Sequence, residues 1–253
     1  MKSGRTASGL RWKKKSPEVV ARERTLRIGA LQKTTLLDFP GKVSAIVFTQ
    51  GCNFRCPYCH NPALVSPAPG APPVDQEDAL VFLDKRKRLL QGVVITGGEP
   101  TLQQGLADFC AALKSMGYAV KLDTNGSSPD VLNNLLRSRL LDYVAMDVKA
   151  SPRKYPEALG DPGDTVAESM DVLNKSSIEH EFRIPCVAPF IDPDILREIL
   201  ALIQGHASVF LQQARLERVL DPAFFADKGR ALTREEMEEL KRQADSRGLC
   251  AIR

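Results

Sequence analysis

From about residue 26 onward, short runs rich in β-branched and aromatic residues alternate with stretches whose apolar positions recur every three or four residues. The runs read as strands and the stretches as helices, because side chains alternate across a strand but share a helix face about every 3.6 positions. Candidate strands are 43–48, 93–96, 118–123, 143–148, 180–186 and 208–212. An earlier run, 26–32, is expected to pair antiparallel with the first of these across a loop holding Asp38, Phe39, Pro40 and Gly41. Pro-Gly suits the two central positions of a type II turn. Strands alternating with helices predict βα units around a mostly parallel sheet, an α/β fold built as a partial (β/α)6 barrel.

The helices are legible in the same way. Leu102, Leu106, Phe109, Cys110, Leu113 and Met116 form one apolar stripe, with Gly117 placed to cap it, so Cys110 reads as core. Thr233 and Glu236 make a capping box for a last helix expected to end near Gly248 and cover a sheet edge. Ser66 to Pro73, with four prolines, reads as a loop and not as a domain linker, since no shift of composition follows it.

Composition adds limits to this picture. A chain of 253 residues with 43% hydrophobic content is long enough for one large α/β domain, expected over 26–253. The net charge of +4, from 35 basic and 31 acidic residues, is too balanced to require a nucleic-acid partner. Much of the excess lies in residues 1–25, with Arg11, Lys13, Lys14 and Lys15, a basic segment too poor in apolar side chains to order itself. No apolar stretch is long enough to span a membrane and no secretory signal is visible, so a cytoplasmic protein is expected. Six cysteines are too few for a disulfide scaffold, but three of them fall within eight positions, which points to a metal.

The crowded segment, Gly51-Cys52-Asn53-Phe54-Arg55-Cys56-Pro57-Tyr58-Cys59-His60, directly follows the strand 43–48. It therefore occupies a loop at a strand's C-terminal end, where βα folds place their sites. Three thiolates at spacings of four and three can wrap one cubane cluster, bind three of its irons and leave the fourth open. The rival is a structural zinc site completed by His60 or by a distant ligand such as His180, His206 or Cys186.

This cysteine loop resembles that of the radical S-adenosylmethionine superfamily. More narrowly, Leu37-Asp38-Phe39-Pro40-Gly41-Lys42, the strand, the cysteine loop and Asn61-Pro62 resemble activating proteins of anaerobic ribonucleoside-triphosphate reductase. The activating enzyme of pyruvate formate-lyase shares the general plan. The resemblance covers about residues 26 to 215 and implies the partial barrel of that superfamily, a [4Fe-4S] cluster on Cys52, Cys56 and Cys59, and S-adenosyl-L-methionine as the second cofactor.

It also implies roles for later residues. Tyr58 stands where the family places an aromatic side chain near the adenine. Gly97-Gly98-Glu99-Pro100 matches the motif that binds the amino group of the methionine moiety; two glycines permit close backbone approach and Glu99 accepts from an ammonium group. Asp123, preferred over Asn125, falls at a strand end with ligand contacts, although Asp123-Thr124-Asn125-Gly126 also reads as an Asx turn. Asp147 and Lys149 are expected either to contact the cofactor or to form a plain salt bridge. Arg183 needs a partner inside the barrel, either the methionine carboxylate or Asp147. Gln212 and Gln213 end the sixth strand, and Cys186 and Cys250 read as inert buried thiols.

The activity implied is reductive cleavage of S-adenosylmethionine to a 5′-deoxyadenosyl radical, with no side chain acting as acid or base. The target implied is a glycine in the anaerobic ribonucleotide reductase large subunit, with an electron donor such as flavodoxin or ferredoxin. The connection from Cys59 to Gly97 leaves no room for an inserted ferredoxin-like domain. Activation of another glycyl-radical enzyme, radical chemistry on a small molecule, and a non-catalytic zinc-stabilised binding module are the alternatives.

Overall fold

The computed structural model of this chain describes residues 25–66, 73–152, 155–160, 164–205 and 207–253. The expected basic tail, apart from its last residue, lies outside the described residues, as do 67–72 of the proline-rich loop and His206.

The strands are β1 (Ile28–Thr35), β2 (Ser44–Thr49), β3 (Gly92–Gly97), β4 (Ala119–Thr124), β5 (Tyr143–Asp147), β6 (Glu179–Ala188), β7 (Ser208–Gln213), β8 (Arg230–Ala231) and β9 (Cys250–Ile252). The sheet runs β1-β2-β3-β4-β5-β6-β7-β9, with β8 on β6. Neighbours from β2 to β7 pair in parallel, and β1 lies antiparallel to β2. The expected six-stranded arc is thus present, but β9 lengthens it by pairing in parallel with β7. Because helices cover one face and the barrel interior the other, β2 reads as a nearly continuous buried run.

The helices are α1 (Pro62–Val65), α2 (Gln76–Arg86), α3 (Leu106–Ser115), α4 (Pro129–Arg137), α5 (Thr165–Asn174), α6 (Pro193–Leu202), α7 (Pro222–Asp227) and α8 (Arg234–Ala244). In α3, Leu106, Phe109, Cys110 and Leu113 are buried. Each large apolar side chain so buried contributes roughly 1.5–3 kcal/mol. Gly117 ends this helix at φ 89°, and the N–H of Tyr118 donates to the carbonyl of Leu113 at 3.1 Å, a Schellman closure. Leu102 does not join the stripe: Glu99 caps a separate 3-10 turn, Pro100–Leu102, and Leu102 is exposed.

The capping box on α8 is present, with Thr233 accepting from the N–H of Glu236 and Glu236 accepting from that of Thr233. The helix stops earlier than the sequence suggests. The Asp245 carboxylate accepts from the N–H groups of Leu249 and Cys250, which turns the chain out of the helix and into β9.

The loop between β1 and β2 closes the base of the barrel. The N–H of Lys42 donates to the carbonyl of Phe39 at 3.1 Å and Gly41 has φ 70°, which fits the type II turn. This turn inserts Phe39 among Ile46, Val94, Tyr143 and Ala145, so the N-terminal end of the barrel is a small apolar plug. Above it lies a charged layer. Lys121, fully buried, donates to Asp123 at 2.5 Å, and Arg183 joins Asp123 at 3.1 Å to Glu181 at 2.6 Å. Tyr143 donates its hydroxyl to the same Glu181 at 2.9 Å.

Candidate active site at the barrel mouth

A cavity of about 720 Å³ opens at the C-terminal ends of the strands. Its wall brings together Cys52, Cys56, Tyr58 and Cys59 from the loop after β2 and Gly97, Gly98 and Glu99 from the end of β3. Asp123 from β4, Asp147 and Lys149 from the end of β5, and Arg183 from β6 complete the set that the sequence points to. Gln212, Gln213 and His60 also line it.

The cysteine loop is built against the next strand end. Gly51 has φ 90°, and its carbonyl accepts from the N–H of Glu99 at 2.8 Å, while the N–H of Gly98 donates to the carbonyl of Thr49 at 2.9 Å. A Cβ on Gly98 would collide with that Gly51 carbonyl, and Gly97 combines φ 118° with backbone contact to Thr49. Both positions therefore require glycine. Within the loop, Arg55 folds back to donate to the carbonyls of Cys52 at 2.7 Å and Phe54 at 2.9 Å.

All three loop thiols are free, and Cys56 is buried. Burial pushes the Cys56 thiol up to about 12, and burial likewise raises Cys52 against the opposing N–H of Phe54. A metal bound here must therefore displace protons from reluctant thiols. Among the described residues no three His, Cys, Asp or Glu side chains converge on a point that would hold one ion. A tetrahedral zinc needs four donors at about 2.0–2.3 Å, whereas each ligand of a cubane meets a different iron. Three free thiols from one loop, all on the wall of one cavity, are the donor set a cubane with one open iron takes. Two of the distant zinc candidates are engaged elsewhere, since His180 Nδ1 lies 2.9 Å from the carbonyl of Ile178 with its ring edge-on to Phe182, and Cys186 Sγ donates to the carbonyl of Ile184 at 3.5 Å; the third, His206, lies outside the described residues.

Glu99 is nearly fully buried, and four donors hold it. Oε1 accepts from the N–H and hydroxyl of Thr101 at 3.0 and 2.6 Å and from the hydroxyl of Thr124 at 2.7 Å; Oε2 accepts from the N–H of Asn125 at 2.7 Å. The side chain thus braces the ends of β3 and β4 together, a role the bare motif did not reveal. Oε2 retains capacity for one further donor. Burial raises the Glu99 carboxyl despite these bonds.

Arg183 makes its direct ion pairs with Glu181 and Asp123, while the nearby Asp147 attracts it without contact. The expected alternative partner is instead taken by Lys149, which donates to Asp147 at 2.8 Å. Burial opposes the charge of Lys149, but Asp147 holds it well above the ordinary lysine value. For Asp123 burial also opposes ionisation, and Arg183 with Lys121 outweighs it, leaving the carboxyl below its usual range. Tyr58 is buried with its hydroxyl unpartnered, its ring 5.9 Å from that of Phe190. Asn125, the less favoured of the two at this strand end, also lines the cavity, with its amide nitrogen 3.9 Å from Cys52 Sγ. The Asx-turn signal at Asp123-Thr124-Asn125-Gly126 was its trace in the sequence.

Residues 46–179 match the family model described as the Radical SAM superfamily. A putative glycyl-radical enzyme activating enzyme of Methanocaldococcus jannaschii is 30% identical over 204 residues, covering 78% of this chain and 83% of that protein. A pyruvate formate-lyase-activating enzyme of Clostridium pasteurianum is 34% identical over 128 residues, or 49% of this chain and 52% of its own length. Among solved structures, a radical SAM methyltransferase from Sphaerobacter thermophilus shares the fold with a TM-score of 0.64 at 16% identity, covering 87% of this chain and 68% of that one. No helix among the described residues is long and apolar enough to cross a membrane. The chain belongs to the Radical SAM superfamily, whose members work with a [4Fe-4S] cluster and S-adenosylmethionine.

Proposed function

We propose that this chain generates a glycyl radical on anaerobic ribonucleoside-triphosphate reductase. One observation carries the reading: three free thiols share a single cavity with a glycine-lined strand end and with half-buried charges from three further strands. Cys52, Cys56 and Cys59 would hold the cluster, and the strand ends carrying Gly97, Gly98, Glu99, Asp123, Asp147, Lys149 and Arg183 would hold S-adenosylmethionine. When bound, the cluster supplies one electron that cleaves S-adenosylmethionine to a radical able to remove hydrogen from substrate.

The residues of the chain do the rest. Gly97 and Gly98 seat this strand end against the backbone of Thr49 and Gly51, and Oε2 of Glu99 offers an acceptor to an ammonium group. Tyr58 presents a buried aromatic wall whose hydroxyl is unpaired in the protein alone. The Arg183 and Lys149 ion pairs keep charged side chains at defined places inside a partly closed cavity. The relatives support a protein substrate, since one is named as a putative activating enzyme of a glycyl-radical enzyme and the other as the activating enzyme of pyruvate formate-lyase. The choice of reductase as partner rests on the likeness of the segment 37–42 to the activating proteins of that enzyme.

The experiment is anaerobic reconstitution, reduction with S-adenosylmethionine, and addition of the reductase large subunit, pyruvate formate-lyase or no protein. A glycyl signal in electron paramagnetic resonance on the reductase alone supports the proposal. A signal only on the other protein moves the target. Colourless protein with one zinc and no sulfide returns the reading to a binding module.

A further inference from the structure

One buried side chain that the family motifs do not name touches a cysteine of the loop directly. Asn125, only 5% exposed, follows β4 at the cavity wall. Its side-chain oxygen accepts from the N–H of Ser127 at 2.9 Å. An amide oxygen must face that donor, so the NH2 group is turned the other way, toward the cysteine loop. There it donates to Asn53 Oδ1 at 3.0 Å and to Cys52 Sγ at 3.9 Å. Both amide hydrogens are used, and the backbone N–H of Asn125 is held by Glu99 at 2.7 Å, so the side chain has little freedom to turn away.

The same sulfur receives a second donor, the N–H of Phe54 at 3.4 Å. Among the described residues neither Cys56 nor Cys59 receives a comparable bond at its sulfur. Cys52 is thus electrostatically distinct from the two thiols with which it shares the loop.

We propose that Asn125 is a positioning residue that raises the reduction potential of the cluster through its N–H···S bond to Cys52. The inference rests on Cys52 being a cluster ligand. One-electron reduction adds negative charge that is shared with the thiolates, and a donor aimed at a thiolate stabilises the reduced state more than the oxidised one. Removing the donor makes the cluster harder to reduce. Because Asn125 is also hydrogen-bonded to Glu99 and Asn53, it ties this tuning to the wall of the cavity where the cofactor's other end is expected to sit.

The test is a potentiometric titration of reconstituted protein, without S-adenosylmethionine, followed by electron paramagnetic resonance of the reduced cluster. Iron and sulfide are counted first. Wild type that takes up no cluster overturns the ligand reading itself, independently of Asn125. Asn125→Leu, similar in size and unable to donate, is expected to take up the same iron and sulfide and show a more negative midpoint. An unchanged midpoint at equal cluster content overturns the proposal. If Asn125→Leu does not fold, unmodified protein carrying asparagine labelled with 15N in its side chain gives the second measurement. A 15N hyperfine coupling to the reduced cluster supports the bond, and its absence overturns it.

Discussion

The two ends of this barrel use opposite chemistry on the same strands. At the base, Phe39, Ile46, Val94 and Tyr143 fill the interior with apolar volume, closed by the turn at Gly41. At the mouth the same strands run out into glycines, the buried carboxylate of Glu99 and thiols, and burial makes Glu99 and Cys56 hard to ionise. The difference teaches that stability and chemistry are spatially separated here, with the charged layer of Lys121, Asp123, Glu181 and Arg183 lying between them.

That separation makes clear demands on substitutions. The largest expected effect is at the mouth: Cys56→Ala loses the cluster and all 5′-deoxyadenosine formation, while the apo protein keeps its unfolding transition, as iron analysis and circular dichroism would show. Persistence of product in that variant removes the cysteine loop from the chemistry. At the base, Phe39→Ala lowers stability by about 3–5 kcal/mol in chemical denaturation, yet folded molecules still take up iron. Loss of cluster from fully folded Phe39→Ala protein would break the contrast between the ends.

The intermediate layer responds to acid. Asp123 has a carboxyl held below its usual range, so its contribution to stability is complete above the ordinary carboxylate pKa and is lost as pH falls through the depressed value. Glu99 runs the other way: its raised carboxyl favours the folded state once protonated and penalises it as pH rises through the folded value. Asp123→Asn is therefore expected to flatten the fall in stability below about pH 4, measured by denaturant midpoints across pH. The smallest effect belongs to neither end. Thr233→Ala removes the α8 cap and lowers stability by about 1 kcal/mol, with cluster content and product unchanged.

Much of this architecture is legible in the chain because β2 to β7 are long enough, at five to ten residues, to show strand character between turn signals. β9 is not, since three residues cannot display alternation and its pairing with β7 depends on where α8 stops. The cysteines and the glycine pair stand out through spacing. Which acid meets which base does not: Arg183 lies opposite Asp147 in the register of β5 and β6, yet reaches past the small Ala145 to Asp123 on β4. Asn125 and the brace formed by Glu99 are hidden for the same reason, since both join segments about 25 or 70 positions apart in sequence.

The stitch between Gly51 and the strand end at Gly98 and Glu99 has a practical outcome for anyone who would graft this loop elsewhere. The iron-holding segment and the neighbouring turn behave as a single moulded part, so neither is portable alone. A host scaffold would need to receive both pieces, in the same parallel alignment, before transplanted cysteines had a floor to rest on.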